Sequence, residues 1–128
     1  MLDTKVLTLV MEVPIVRHMT NQSIPLDRIF QALSDPTRRA VVERLTLGPA
    51  SVSELARPFS MALPSFSQHL NVLEESGLVI SRKSGRVRTY ALETETLAGA
   101  QDWLQLQRDK WTRRLDQLDN YLLQMKET

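Results

Sequence analysis

The chain has 128 residues, 16 basic and 15 acidic side chains and a formal net charge of +1, and this length suits one domain with a modest core. It contains no cysteine, which excludes a disulfide framework, a thiolate-held metal centre and thiol redox sensing. The longest apolar run, Val6 to Met11, is interrupted by Thr8 and falls far short of the roughly 20 residues that span a bilayer, so we expect a cytoplasmic protein.

Residues 1–21 show neither helical nor strand periodicity. The stretch Met19-Thr20-Asn21-Gln22 has the look of a chain start before a helix cap, so Met19 is a candidate for the true initiator. The alternative is an ordered arm that packs on a partner through its apolar residues, which are Val6, Leu7, Leu9 and Val10. We therefore treat 1–21 as an N-terminal extension that is either upstream of the true start or a dimer arm.

Two short helices are predicted next. The first has apolar residues at i, i+3, i+4 and i+7, which places them on one helix face; they are Leu26, Ile29, Phe30 and Leu33. The second begins at Asp35-Pro36, where the carboxylate can cap the helix and proline takes the first helical position. Its inward residues are Val41, Val42 and Leu45, and it ends before Gly48-Pro49.

A further pair of helices follows. Ser51 and Glu54 have the spacing of a capping box, which predicts a short helix over 51–57. Leu63-Pro64 opens a helix over 63–76, and Gly77 supplies a left-handed stop. The inward face of helix 63–76 is apolar and consists of Leu63, Phe66, Leu70 and Leu73. The side away from them is polar and largely uncharged; it is centred on Gln68 and includes Ser65, Ser67, His69 and Asn71.

A β-hairpin is predicted after this helix, from Leu78 to Lys83 and from Val87 to Leu92, with glycine in the Ser84-Gly85-Arg86 turn. Residues 57–92 hold five basic and two acidic side chains, whereas residues 93–128 hold five basic and seven acidic ones. Four of the basic residues lie at or beside the hairpin tip; they are Arg82, Lys83, Arg86 and Arg88. The positive charge of the chain is therefore concentrated at this hairpin.

A long helix begins near Thr94. Apolar residues recur every seven positions with two more beside them, which makes a stripe about four heptads long that needs a partner; the set is Leu97, Leu104, Trp111, Leu115, Leu118, Leu122 and Met125. We expect this stripe to be a homodimer interface. Trp103, at the edge of the stripe, fits either dimer packing or a small-molecule pocket, although no particular effector is indicated.

The order of these elements suits duplex DNA. The major groove admits one α-helix, and glutamine or asparagine can pair bidentately with adenine there. We expect base contacts from Ser65, Ser67, Gln68, His69 and Asn71, and backbone contacts from Arg82, Lys83, Arg86 and Arg88. The alternative is a winged-helix protein-interaction module that does not bind DNA. An enzyme is not expected, because the chain has no nucleophile motif and no glycine-rich phosphate loop.

The sequence also resembles a known family. Three stretches, Leu33 to Arg39, Ser53 to Ala56 and Leu63 to Val79, are similar to signatures of ArsR-type repressors. The most specific is the Ser67-Gln68-His69-Leu70 helix that leads into Glu74-Glu75-Ser76-Gly77-Leu78-Val79. This resemblance implies a helix-turn-helix pair over 51–57 and 63–76 and a wing over 78–92. It also implies dimerisation through the terminal helices and repression of its own or a neighbouring operon, with an operator that is an inverted repeat.

The resemblance fails at the metal sites of the family. Metal-sensing members have cysteines in the helix corresponding to 51–57, or aspartate and histidine ligands on the last helix, and this chain has neither pattern. We therefore expect no metal and no cofactor. The predicted fold is mainly α with a small β-hairpin (α+β), a winged helix-turn-helix over 22–93 followed by a long dimerisation helix over 94–128.

Overall fold

The structure, a computed structural model, describes residues 26–127. Five helices and three strands form this part of the chain: α1 Leu26–Leu33, α2 Pro36–Leu45, β1 Ala50–Ser51, α3 Val52–Ala56, α4 Leu63–Glu75, β2 Val79–Ser84, β3 Val87–Leu92 and α5 Thr94–Glu127. The chain divides into two compact units, of which the first ends at Leu97 and the second begins at Ala98. The predicted extension 1–21 lies outside the described residues.

The predicted fold class is confirmed. The described part is mainly helical with one small antiparallel sheet, and the β2–β3 hairpin of that sheet follows the helix pair α3–α4 as a wing. Among the described residues, no helix has the combination of length and apolar character needed to cross a bilayer.

The sheet has three strands, one more than the predicted hairpin. Its order is β1-β3-β2 with antiparallel pairing throughout, and Ala50 of β1 lies opposite Tyr90 of β3. Strand β1 has only two residues, too few to show the period-2 alternation by which strands are recognised in a sequence. It ties the start of α3 to the base of the wing.

Local capping signals in the sequence correspond to real helix ends. The Asp35 carboxylate accepts from the backbone N–H of Arg38 at 3.0 Å, and Ser51 and Glu54 form the reciprocal capping box. The Ser51 N–H and hydroxyl both donate to Glu54 and hold the pKa of its carboxyl below the ordinary value. Gly77 follows α4 with φ of +82°, a conformation that glycine adopts without steric penalty.

The core of the first unit is closed around α4. Phe66, Leu70 and Leu73 are at most 1% exposed, as the periodicity of helix 63–76 predicts. Leu63 is 56% exposed, so its placement on the inward face was wrong. It is the first residue of α4, and the buried residues of this helix begin one turn later at Phe66.

Candidate nucleic-acid interface

Helix α4 presents the polar surface on which the base-facing predictions fall. Ser65, Gln68 and Asn71 are exposed, whereas Ser67 and His69 are half-buried. Ala62 precedes the helix and offers no side-chain cap. The first amides of α4 therefore lack a side-chain acceptor, and helix N-termini of this kind attract phosphate oxygens.

The buried side of α4 fixes the helix in the unit. Phe66 is fully buried, and its ring lies 5.4 Å from that of Phe59, centroid to centroid, at a tilted angle of 31°. Aromatic pairs at this separation add favourable contact beyond the area they bury. Phe59 belongs to the segment between α3 and α4, so this contact also fixes the turn of the helix-turn-helix.

A second contact, made by polar side chains, connects α4 to the first two helices. The guanidinium of Arg38 donates to the carbonyls of Ala32 at 2.7 Å and Gln31 at 3.1 Å, which belong to the last turn of α1. The same guanidinium lies 3.0 Å from Nδ1 of His69 on α4. One side chain therefore joins the end of α1, the start of α2 and the middle of α4.

The contact with Arg38 determines which ring nitrogen of His69 can donate a hydrogen bond to a partner outside the unit. A guanidinium has no acceptor, so Nδ1 must accept, and the neutral ring has its proton on Nε2. Asp35 lies 3.8 Å from the same Nδ1. Partial burial raises the pKa of Asp35, but the hydrogen bond from the Arg38 N–H and the electrostatic interactions with the nearby His69 and Arg38 side chains outweigh this, so the net shift of that pKa is downward.

The four basic residues of the wing are all exposed, but they do not share one face. Lys83 lies opposite Arg88, and Arg82 lies opposite Thr89. Because successive side chains of a strand point to opposite faces, Lys83 and Arg88 are on one face and Arg82 is on the other. Arg86 lies in the turn between the strands.

The Lys83–Arg88 face is also the face joined to α4. Ser81 donates to the Glu74 carboxylate of α4 at 2.7 Å, and Nη1 of Arg88 donates to the Ser81 hydroxyl at 2.8 Å. Tyr90, opposite Ser81, is 5% exposed, and burial followed by the nearby Glu74 charge raises its pKa. The wing is thus fixed to the C-terminal end of α4 through its own polar side chains.

The predicted dimer residues are apolar and accessible in the second unit. Six of the seven have exposed fractions between 44% and 61%; they are Leu104, Trp111, Leu115, Leu118, Leu122 and Met125. The seventh, Leu97, is half-buried and belongs to the first unit. Within residues 26–127, no three histidine, aspartate or glutamate side chains come together as a candidate metal site.

Two polar contacts of α4 were not predicted from the sequence: Arg38 with His69, and Ser81 with Glu74. Arg38 and His69 are 31 residues apart, and no short-range pattern connects them. Glu74 and Ser81 are separated by the helix stop at Gly77, where helical spacing no longer applies. His69 was singled out as a polar residue on a helix shoulder, but its spacing carries no signal of its partner Arg38.

Comparison with known proteins gives the following similarities. Residues 33–82 match the helix-turn-helix domain family. The HTH-type transcriptional regulator Rv2034 of Mycobacterium tuberculosis is 48% identical over 90 residues, which cover 70% of this chain and 80% of that regulator. The transcriptional repressor SdpR of Bacillus subtilis is 32% identical over 79 residues, 62% of this chain and 88% of the repressor. A crystal structure of an ArsR family transcriptional regulator is 56% identical with a TM-score of 0.66, covering 68% of this chain and 96% of that one.

Proposed function

Because this chain belongs to the ArsR family of helix-turn-helix transcriptional regulators, we propose that it is a homodimeric repressor that reads its operator with α4. Members of this family are regulators and not enzymes, which confirms the expectation that the chain is not an enzyme. The similar SdpR is named a transcriptional repressor, and this supports repression here. Since its proposed partner is chromosomal DNA, we expect the protein to act in the cytoplasm.

The observation that carries the proposal is the exposed polar face of α4 beside a basic wing. Gln68, Ser65 and Asn71 are exposed on a helix whose other side is buried in the core. A rigid helix with accessible amide and hydroxyl groups is what reading of base edges in the major groove requires. Ser67 and His69 remain predicted base contacts, and His69 would act through Nε2, since Nδ1 faces Arg38.

The wing supplies the second half of the proposal. Lys83 and Arg88 share the face that is joined to α4, so a duplex in contact with α4 would meet them first. We expect Lys83, Arg86 and Arg88 to contact phosphates, where each contact adds salt-dependent affinity. Arg82 lies on the opposite face, and its backbone contact is the weakest of the four predictions.

A homodimer would present two such surfaces related by a twofold axis. The operator would then be an inverted repeat with half-sites about 34–36 Å apart, one turn of the duplex, or a multiple of that distance. The apolar stripe of α5 supports self-association, because its exposed leucines and tryptophan need a partner surface.

The test of base reading uses duplexes that the protein itself selects from a randomised pool. We expect Gln68→Ala to reduce the discrimination between selected and random duplex by about 1–3 kcal/mol, measured by fluorescence anisotropy. The matched control is Gln117→Ala, an exposed glutamine of α5 that should leave discrimination unchanged. Equal discrimination in the two variants would remove Gln68 from the reading surface, and no duplex binding by the wild-type chain would favour the protein-interaction alternative.

The wing is tested by salt dependence. Arg86→Ala should weaken binding to all duplexes by a similar factor and lower the slope of log affinity against log salt by about one. Arg113→Ala, an exposed arginine of α5, is the control and should leave the slope unchanged. A slope that stays the same in Arg86→Ala would show that the turn does not contact phosphate.

A further inference from the structure

The Arg38 guanidinium is held in a fixed orientation by the end of α1. Its Nε donates to the Ala32 carbonyl at 2.7 Å, and Nη2 donates to the Gln31 carbonyl at 3.1 Å. Because the guanidinium is planar and rigid, these two contacts also fix Nη1, which lies 3.0 Å from Nδ1 of His69. A guanidinium has donors and no acceptor, so this contact requires Nδ1 to be without a proton.

The Asp35 carboxylate lies near the same ring nitrogen and has the opposite preference. A carboxylate is an acceptor only, so it would favour a proton on Nδ1 of His69. Its Oδ2 lies 3.8 Å from Nδ1, which is beyond hydrogen-bond distance, and accepts instead from the backbone N–H of Arg38 at 3.0 Å. The two distances from Nδ1 show that Arg38 makes the hydrogen bond and Asp35 does not.

The other ring nitrogen of His69, Nε2, remains available to a partner outside the unit. Within residues 26–127, the polar contacts of His69 are those that Nδ1 makes with Arg38 and Asp35, and 23% of the side chain is exposed. Ser65 lies one turn earlier on the same side of α4, and both Ser65 and Gln68 are exposed. A proton on Nε2 therefore makes His69 a hydrogen-bond donor beside the predicted base contacts.

A donor and an acceptor select different bases in the major groove. Guanine presents the acceptors N7 and O6 and thymine presents O4, whereas adenine N6 and cytosine N4 are amine donors. We propose that Arg38 is a positioning residue that keeps the proton of His69 on Nε2, and that His69 thereby restricts one position of each half-site to guanine or thymine on the strand that faces α4. This inference rests on the proposed reading of DNA by α4 and specifies one base class within it.

Removal of the Arg38 donor should invert the base preference as well as weaken binding. In Arg38→Met the donor to Nδ1 of His69 is lost, and the Asp35 carboxylate needs to approach by only about 1 Å to accept from this nitrogen. The proton then moves to Nδ1, and Nε2 becomes an acceptor that suits the amine of adenine or cytosine. If Arg38 only held the helices together, its loss would weaken binding without changing the preferred base pair.

Heteronuclear NMR of the imidazole nitrogens tests the position of the proton in the full chain without DNA. The chain has two histidines, so His18→Gln is used as the background and leaves His69 as the only source of these signals. At about pH 8, above the ordinary histidine pKa of about 6.5, the background protein should have its proton on Nε2 and R38M should have it on Nδ1. Arg39→Met is the matched control, because the Arg39 guanidinium donates to the Leu33 carbonyl at 2.8 Å; it should keep the proton on Nε2.

A second variant keeps Arg38 intact, because R38M also loses the contacts with Ala32 and Gln31 that stabilise the fold. Asp35→Asn retains a capping oxygen and the Arg38 donor, so the proton of His69 should stay on Nε2. A proton on Nδ1 in the background protein or in D35N would overturn the role of Arg38, and these two measurements decide the matter if R38M does not fold. A folded R38M that keeps its proton on Nε2 would overturn it as well.

Selection from a randomised duplex pool tests the base. His69→Ala identifies the position, which is the one where the preference of the wild type is lost. There we expect the wild type and R39M to favour one orientation of the base pair by at least about fivefold, and R38M to favour the inverted pair.

The outcomes of this selection separate the inference from the proposed function. A selected operator in which no position depends on His69, or an R38M variant that keeps the wild-type orientation of the pair, would overturn the base assignment alone. A wild-type chain that selects no sequence would overturn the proposed function and the base assignment together.

Discussion

The two units of this chain use the same apolar residue types in opposite ways. In the first unit Leu70, Leu73 and Phe66 are at most 1% exposed, whereas in the second Leu118 and Trp111 are 52% and 61% exposed. Apolar side chains that are buried within one chain stabilise the fold of that chain. A large exposed apolar stripe contributes to stability only when a partner surface covers it. The contrast indicates that the winged unit is stabilised by folding and the last helix by association.

Matched leucine truncations test this contrast most directly. Leu73→Ala in α4 should lower the free energy of unfolding of the winged unit by about 2–5 kcal/mol, because it leaves a cavity in a closed core. Leu123→Ala, at the outer side of α5 and 58% exposed, should change it by less than about 0.5 kcal/mol. Urea denaturation followed by circular dichroism measures both free energies of unfolding. Similar losses of stability in the two variants would contradict the proposed difference between the two units.

A tryptophan pair tests the association side. Trp111 lies on the predicted apolar stripe of α5 and Trp103 at its edge, with exposed fractions of 61% and 44%. Trp111→Ala should weaken self-association by about 2 kcal/mol or more, as truncation of an interface tryptophan commonly does, and give monomer in sedimentation at micromolar concentration. Trp103→Ala should retain the dimer. A persistent dimer in Trp111→Ala would place the interface on another surface.

The cap of α2 belongs to the first unit alone. Asp35→Ala should lower the free energy of unfolding by about 0.5–2 kcal/mol at pH 7. The folded-state pKa of Asp35 is lowered, so its contribution is complete above the ordinary aspartate pKa of about 3.9 and is lost as pH falls through the lower folded value. The difference in free energy of unfolding between wild type and Asp35→Ala should therefore narrow below about pH 3.9. The difference between Asp35→Asn and Asp35→Ala should show little pH dependence, because asparagine keeps a capping oxygen and does not titrate. A gap that is constant from pH 7 to pH 3 would contradict the charge contribution.

The smallest effect is expected at Gly99 in α5. A Cβ added there meets nothing within 4 Å, and glycine within a helix costs about 0.5–1 kcal/mol relative to alanine. Gly99→Ala should therefore stabilise the helix by that amount, seen as a higher thermal midpoint of the helical signal. A lower midpoint would show that position 99 meets a surface in the assembled protein that the single chain does not contain.

Local signals predicted most of the elements of the winged unit. Asp35-Pro36, the Ser51–Glu54 capping box and Gly77 each correspond to an observed helix end, because capping is a matter of three or four consecutive residues. Strand β1 was missed because its two residues form a strand only through Tyr90 and Thr89 of β3. Leu63 was misplaced because helical periodicity does not say how far the core extends past the first turn.

The sequence by itself determined the order of the elements, the polar side of α4, the basic hairpin and the apolar stripe of α5, since all of these follow from spacing along the chain. Only the tertiary structure decided what holds α4 in place: the Arg38 guanidinium on Nδ1 of His69, and the Ser81 hydroxyl between Glu74 and Arg88. It also decided that Arg82 and Lys83 lie on opposite faces of the wing, because the register of β2 on β3 fixes the pleat. Contacts between residues distant in sequence depend on how the helices pack, and no local pattern encodes that packing.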